Sequence, residues 1–254
     1  MADLGDFFEH CNELYHLSSK VPKEARQEDC ILGIDEAGRG PVLGPMVYGA
    51  AYYPVRLQDN LKGDKFQDSK TLTEKERSAM FEKMKEYNIG WFATVLSPIV
   101  ISNAMLKRSK YNLNALSHDT AINLIRKAIE SGVQLKEVYL DTVGPADKYQ
   151  IKLRALFPNI KVVVSNKADS IYKIVSVASI CAKVTRDHAV KNWQFLEEGI
   201  SFSESEYGSG YPGDPKTKDF LKKAFDPLFG FPTFVRFSWS TITKIMEEKA
   251  IGCE

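Results

Sequence analysis

Apolar positions fall first into three short runs, Cys30–Glu36, Met46–Tyr53 and Trp91–Leu96, which predict strands, the first two joined by a glycine-proline turn. Ahead of them, Phe7, Phe8, Leu14 and Leu17 lie near helical spacing and predict a short leading helix over 3–17. The stretch DSKTLTEKERSAMFEKMKEY has an apolar stripe at Met80, Phe81 and Met84, behind a cap at Thr71 or Thr73. Ser97-Pro98 is a capping serine followed by proline at the first helical position, so a helix is expected over 98–107. A longer one over 113–131 ends at Gly132. Glu137–Asp141 then reads as a strand, Pro145–Leu156 as a helix and Ile160–Val164 as a strand. From Ala168 the pattern predicts helix to about Glu197, with little room for a break.

Short connections suit an antiparallel start, whereas helical crossovers demand parallel pairing. The expected architecture is therefore α/β: a mixed sheet of about five strands flanked by helices. After Trp193 a polar loop, SFSESEYGSGYPGDP, leads to the aromatic run FGFPTFVRFSW. We divide the chain into a main domain, 1–190, and a C-terminal helical appendage, 191–254. Apolar residues make up 44% and charged residues 26%, as in a soluble globular protein. The formal charge is +1, with 34 basic and 33 acidic residues, so any nucleic-acid surface must be a local patch. Cys11, Cys30, Cys181 and Cys253 show no framework spacing, which fits a reduced intracellular compartment. The first residues, MADLGDFFEH, lack the features of a signal peptide, and no run approaches the roughly 20 apolar residues that span a bilayer.

The chemistry gathers at strand ends. Asp35 and Glu36 follow an apolar strand directly and are followed by Gly38-Arg39-Gly40-Pro41. An unpaired carboxylate against a core strand is costly, so these acids either form a metal-and-phosphate site or point into water from a tight hairpin. Asp141 closes the strand VYLD, and Asp169 comes five residues after Val164, at the entrance to a helix. In open α/β sheets, sites form outside the carboxyl ends of strands, where these four would converge. Four oxygen donors with no histidine nearby select magnesium or manganese over zinc. Two such ions roughly 4 Å apart could clamp a phosphodiester for in-line attack by water. Bland alternatives are a helix N-cap for Asp169 and a turn residue for Asp141. His10, His16, His118 and His188 share no ligand spacing, and Cys181 reads as core.

The blocks GIDEAGRGPVLGPMV (33–47), DSKTL (68–72), YNLNALSHD (111–119), VYLDTVG (138–144), KADSIYKIVSVASICAKVTRD (167–187), YGSGYPGDPKT (207–217) and FGFPTFVRFSW (229–239) stand in order along the chain. On them the chain resembles the type 2 ribonucleases H, in particular catalytic subunits of the eukaryotic heterotrimeric kind. The resemblance implies a ribonuclease H-like fold and a Mg²⁺-dependent endoribonuclease, with Mn²⁺ able to substitute. Such an enzyme cleaves RNA in RNA–DNA hybrids and nicks DNA duplexes 5′ of embedded ribonucleotides, leaving 3′-hydroxyl and 5′-phosphate ends. It removes misincorporated ribonucleotides and replication primers in the nucleus, alongside two non-catalytic subunits. Asp35, Glu36, Asp141 and Asp169 match the family's catalytic, metal-binding carboxylates. Gly38-Arg39-Gly40 matches its reader of the 2′-hydroxyl, and Tyr211 the tyrosine that stacks on the following sugar. Ser69, Lys70, Asn112, Lys183 and Arg186 match phosphate contacts, although Arg186 could instead pair with Asp187 or Glu197. Relatives of this kind continue past the point where this sequence ends, and that extension helps dock the other subunits. The rivals are a non-catalytic hybrid-binding subunit and a ribonuclease H-like nuclease acting on DNA. A Rossmann module is weaker, since Gly33, Gly38 and Gly40 do not give G-x-G-x-x-G.

Overall fold

The computed structural model describes residues 4–58, 72–109, 111–142 and 144–252. Ser69 and Lys70, two expected phosphate contacts, lie outside the described residues. A mixed sheet runs in the order β1-β4-β3-β2-β5-β6. Its strands are β1 (Tyr15–Ser18), β2 (Cys30–Ala37), β3 (Met46–Pro54), β4 (Gly90–Leu96), β5 (Leu135–Asp141) and β6 (Lys161–Ser165). The pairs β1–β4, β4–β3 and β3–β2 are antiparallel, while β2–β5 and β5–β6 are parallel. The expected switch from hairpin connections to helical crossovers is what the chain does.

The leading helix is a correction. Residues 15–18 form a sixth strand that pairs with the edge of β4, so that β4 is not left exposed. Burial alternates residue by residue along YHLS, a period of two that overrides the weaker helical spacing of Phe7, Phe8, Leu14 and Leu17. Phe7 and Phe8 instead pack edge-on against Trp193, with ring centroids 6.1 and 5.6 Å away.

The longer helices are α1 (Glu74–Glu86), α2 (Pro98–Met105), α3 (Leu113–Glu130) and α4 (Ala146–Leu156), followed by α5 (Ala168–Ile171) and α6 (Lys173–Lys191). Thr73 caps α1 in a capping box with Glu76, and the Ser97 hydroxyl accepts from the Val100 N–H at the start of α2. A second correction concerns 168–197. The chain breaks at Tyr172, whose φ −112°, ψ 115° is extended, and α6 ends at Lys191. The Ala168 N–H donates to the Asp141 carboxylate, which fastens the first turn to β5, and the chain must then turn to lie across the sheet.

Two apolar layers sandwich the sheet. Ile31, Val47, Ala51 and Tyr53 pack against α1 and α6, whereas Leu32, Ile34, Tyr48 and Tyr52 pack against α2, α3 and α4. Beyond α6 come α7 (Glu204–Tyr207), α8 (Pro215–Lys223) and α9 (Ser240–Lys249). These enclose a third cluster around Phe220, Phe234 and Ile242, into which Val42 and Leu43 insert from the β2–β3 connection.

Helix α6 lies unusually close to the sheet. A Cβ on Gly33 would sit 2.3 Å from the Ile174 carbonyl oxygen, and one on Gly49 2.6 Å from that of Ala178. Both obstacles are backbone and cannot swing aside. Gly33→Ala should therefore push α6 off β2 and cost about 3 kcal/mol, a fall in Tm of roughly 5–10 °C by thermal denaturation. An unchanged Tm would show that the helix has room to give.

Candidate active site

Strand register brings the acids together. In the parallel pair Ile34 lies opposite Leu140, so the next residues, Asp35 near the end of β2 and Asp141 at the end of β5, come side by side on neighbouring strands, where strands lie about 4.8 Å apart. Asp141 in turn pairs with Ser165, and α5 begins three residues later, with Asp169 buried in its first turn. Its cap position is occupied by Lys167, so the N-cap reading of Asp169 does not hold. Alternation along β2 turns Asp35 to the α6 face and Glu36 to the α3 face.

The local charge is strained. Burial first, then the charges of Asp141 and Asp169, push the Asp35 carboxyl up to about 7, against opposing help from Ser179 and the Glu36 N–H. The Ser179 hydroxyl lies against Asp35 without ordinary hydrogen-bond geometry, so it offsets burial only in part. Glu36 is pushed up to about 8 by burial and by Asp35, with Arg39 opposing. Asp141 is better served: one oxygen accepts the N–H groups of Thr142 and Ala168, both at 3.0 Å.

Buried carboxylates that resist ionisation fit a divalent cation, which would replace the missing countercharge. Among the described residues, no three acidic, histidine or cysteine side chains enclose an ion by themselves. The donors that Asp35, Glu36, Asp141 and Asp169 offer are all oxygen, a set that favours a hard cation such as magnesium or manganese over zinc.

Beside the acids, Gly38 takes φ +79° and packs against Arg186 and Pro45, where a Cβ would lie 2.7 Å from Arg186 Nε. The Tyr211 ring covers Gly40 so closely that a Cβ there would meet it at 2.9 Å. Arg39 reaches the other way, donating to the Ser117 hydroxyl and the Asn114 side-chain oxygen on α3. Asn112, an expected phosphate contact, spends its side-chain oxygen capping α3 through the Ala115 N–H at 3.0 Å. Lys183 and Arg186 line one cleft with Glu36 and Tyr211.

Sequence reasoning missed Arg236. Its guanidinium is wholly buried, with no exposed surface, and donates to the carbonyls of Gly38 (2.6 Å), Arg39 (3.1 Å) and Gly44 (2.8 Å). The Trp239 ring lies 4.8 Å away and its Nε1 donates to the Gly40 carbonyl. Burial lowers this arginine to about 9, so it stays charged at neutral pH. The Val42 N–H, meanwhile, donates to the Gly210 carbonyl at 2.8 Å, tying the loop of Tyr211 to that of Gly40. The available signal was one cation inside an otherwise uncharged aromatic run. Arg77 on α1 also borders the cleft, and nothing in its amphipathic context marked it.

A mixed α/β sheet in this strand order, flanked by helices on both faces, is a ribonuclease H-like fold. A family model described as Ribonuclease HII matches residues 32–242. One ribonuclease H2 subunit from Homo sapiens is 55% identical over 235 residues, covering 92% of this chain and 78% of that one. Its counterpart from Arabidopsis thaliana is 52% identical, covering 89% and 76%. Among solved structures, ribonuclease H2 from Pyrococcus horikoshii OT3 superposes with a TM-score of 0.71 at 31% identity, covering 86% of this chain and 98% of that one. Bst-RNase HIII in complex with Mn²⁺ shares the fold, at 20% identity and a TM-score of 0.52 over 65% of this chain and 55% of that one. The chain belongs to the ribonuclease HII family, whose members are divalent-metal-dependent nucleases, and is an endoribonuclease that hydrolyses at ribonucleotides.

The raised carboxyls set a sign. A folded carboxyl held above its ordinary value favours the fold at acid pH, and that contribution is lost as pH rises through the folded value. In chelator, Asp35→Asn should match wild type near pH 4 and melt on the order of 5 °C higher at pH 8. Divalent cation should narrow that gap by stabilising wild type. Equal melting of the two proteins at pH 8 would mean that Asp35 carries no such burden.

Proposed function

We propose that Asp35, Glu36, Asp141 and Asp169 hold two Mg²⁺ ions, with Mn²⁺ able to substitute, and that hydrolysis occurs on the 5′ side of a ribonucleotide. The observation that carries this reading is the side-by-side placement of Asp35 and Asp141 at parallel strand ends next to the Gly38–Gly40 loop. When bound, the ions would supply the Lewis acidity that activates water and stabilises the leaving oxygen. The chain's own residues do the rest. The four carboxylates bind the cations and fix where a phosphodiester can sit. Arg39 turns its own side chain away to Ser117 and Asn114, and the flanking glycines, lacking side chains, permit close approach of the backbone to a 2′-hydroxyl. Tyr211, half exposed above Gly40, offers a flat face to the neighbouring sugar. Asn112, Lys183 and Arg186 would hold backbone phosphates, which position a duplex without reading its sequence. Products would carry 3′-hydroxyl and 5′-phosphate ends.

Substrates on this reading are RNA–DNA hybrids and DNA duplexes with single embedded ribonucleotides, so the work is ribonucleotide and primer removal in the nucleus. The human and Arabidopsis relatives are each one subunit of ribonuclease H2, which supports assembly with two non-catalytic subunits. We assign 191–254 as the segment that carries the Tyr211 loop to the catalytic domain.

The decisive assay is cleavage of a duplex with one ribonucleotide in Mg²⁺, beside an all-DNA control, with and without the partner subunits. Asp141→Asn should lower kcat on the order of 10²–10³-fold. Unchanged cleavage would remove Asp141 from the metal site, and equal cutting of the all-DNA control would favour a DNA nuclease. Tyr211→Ala should lower kcat/KM at the single ribonucleotide by about ten- to a hundredfold, since stacking on an aromatic is worth roughly 1–3 kcal/mol. Binding to plain duplex should change far less, and equal losses on both would sink the role assigned to Tyr211.

A further inference from the structure

The sheet face that carries Glu36 also holds a hydroxyl that the chemistry above leaves unused. Glu36 and Tyr48 are direct partners in the antiparallel β2–β3 pair, so both side chains stand on the α3 face. Side chains so placed start about 5 Å apart and reach each other. Tyr48 is 2% exposed, and its phenolic oxygen is covered, with no hydrogen-bond partner among the described residues. Glu36, Ser117, Arg39 and Tyr149 are the polar groups that act on it.

Three of these four are already engaged. Ser117 accepts from Arg39 Nη1 at 2.7 Å, Arg39 also donates to Asn114, and the Tyr149 hydroxyl donates to the His118 carbonyl at 3.5 Å. Glu36 brings the one carboxylate, and so the strongest acceptor of the group. A buried donor that finds no acceptor destabilises the fold, and a phenylalanine would fill the same space without that burden. Burial first, then the charge of Glu36, holds the Tyr48 phenol well above its ordinary range, so it remains a proton donor at neutral pH. Carboxylates that bind metal ions are themselves commonly oriented by a hydrogen bond from a neighbour.

We infer that Tyr48 is a positioning residue for Glu36, its hydroxyl donating to the Glu36 carboxylate in the cation-bound enzyme and fixing how that carboxylate is presented. The inference rests on the metal reading proposed above, and it adds β3 to the elements that shape the site. Ser117, which lies against Tyr48 and holds Arg39, places the same hydroxyl next to the Gly38–Gly40 loop.

The test compares wild type with Tyr48→Phe, which keeps the ring and removes the hydroxyl. In chelator the variant should melt at or slightly above the wild-type temperature, because a buried donor without an acceptor is gone. Mn²⁺ affinity, measured by titration calorimetry without nucleic acid, should fall roughly tenfold. Tyr53→Phe is the control: its hydroxyl is equally buried and unpartnered but lies farther along β3 on the opposite face, so Mn²⁺ affinity should not change. Unchanged Mn²⁺ affinity in Tyr48→Phe, or an equal loss in Tyr53→Phe, would overturn the assignment. So would a Tyr48→Phe protein that melts several degrees lower in chelator or fails to fold, since the hydroxyl would then be structural. Wild type that binds no Mn²⁺ would overturn the metal reading itself, whereas wild type and Tyr48→Phe binding it equally well would overturn the role of Tyr48 alone.

Discussion

The contact on which the rest depends is the close seating of α6 on β2 and β3. Backbone meets backbone at Gly33 and Gly49, and small residues on the helix, Ala178 and Ala182, make the approach possible. From that seat the helix presents Ser179 to Asp35, then Lys183 and Arg186 to the cleft, about one turn apart along its length. A helix held at ordinary distance would lift all three away from the strand ends. Side-chain packing is softer than backbone contact, so this arrangement fixes the positions of acid and cation together.

Arg236 plays a comparable part for the loop. Three carbonyls of the Gly38–Gly44 segment converge on one buried guanidinium, with Trp239 stacked on it. Backbone carbonyls turned inward leave the other side of the loop to face outward, which a backbone reader of a sugar hydroxyl requires. Because Arg236 belongs to the C-terminal segment, that segment organises the Gly38–Gly44 loop as well as carrying Tyr211. The Val42-to-Gly210 hydrogen bond completes the connection, so the two loops are not independent.

Much of this was legible in the sequence, for definite reasons. Strands β2 to β6 announced themselves through apolar runs bounded by turn residues, and Asp35, Glu36, Asp141 and Asp169 were visible because charge beside an apolar run is conspicuous. What failed were features whose cause lies outside the local window. Tyr15–Ser18 became a strand because β4 offered an edge, and Tyr172 broke a helical pattern because Asp141 had already captured Ala168. Arg236 and Arg77 escaped for a related reason: each is held by partners far along the chain, and a lone arginine looks the same in a sequence whether buried or solvated.

Charge distribution links the two halves of the site. The chain as a whole is nearly neutral at +1, yet its functional charges are sorted, with acids at the ends of β2, β5 and in α5, and cations on α1 and α6. Burial and, after it, the crowding of like charges are unfavourable, and Asp35 and Glu36 bear their mark in carboxyls pushed up to about 7 and 8. A cation among the acids and a phosphate strand along α6 would relieve both accumulations at once. Global charge was silent about this because the two patches cancel, and the local segregation carries the information that the total conceals.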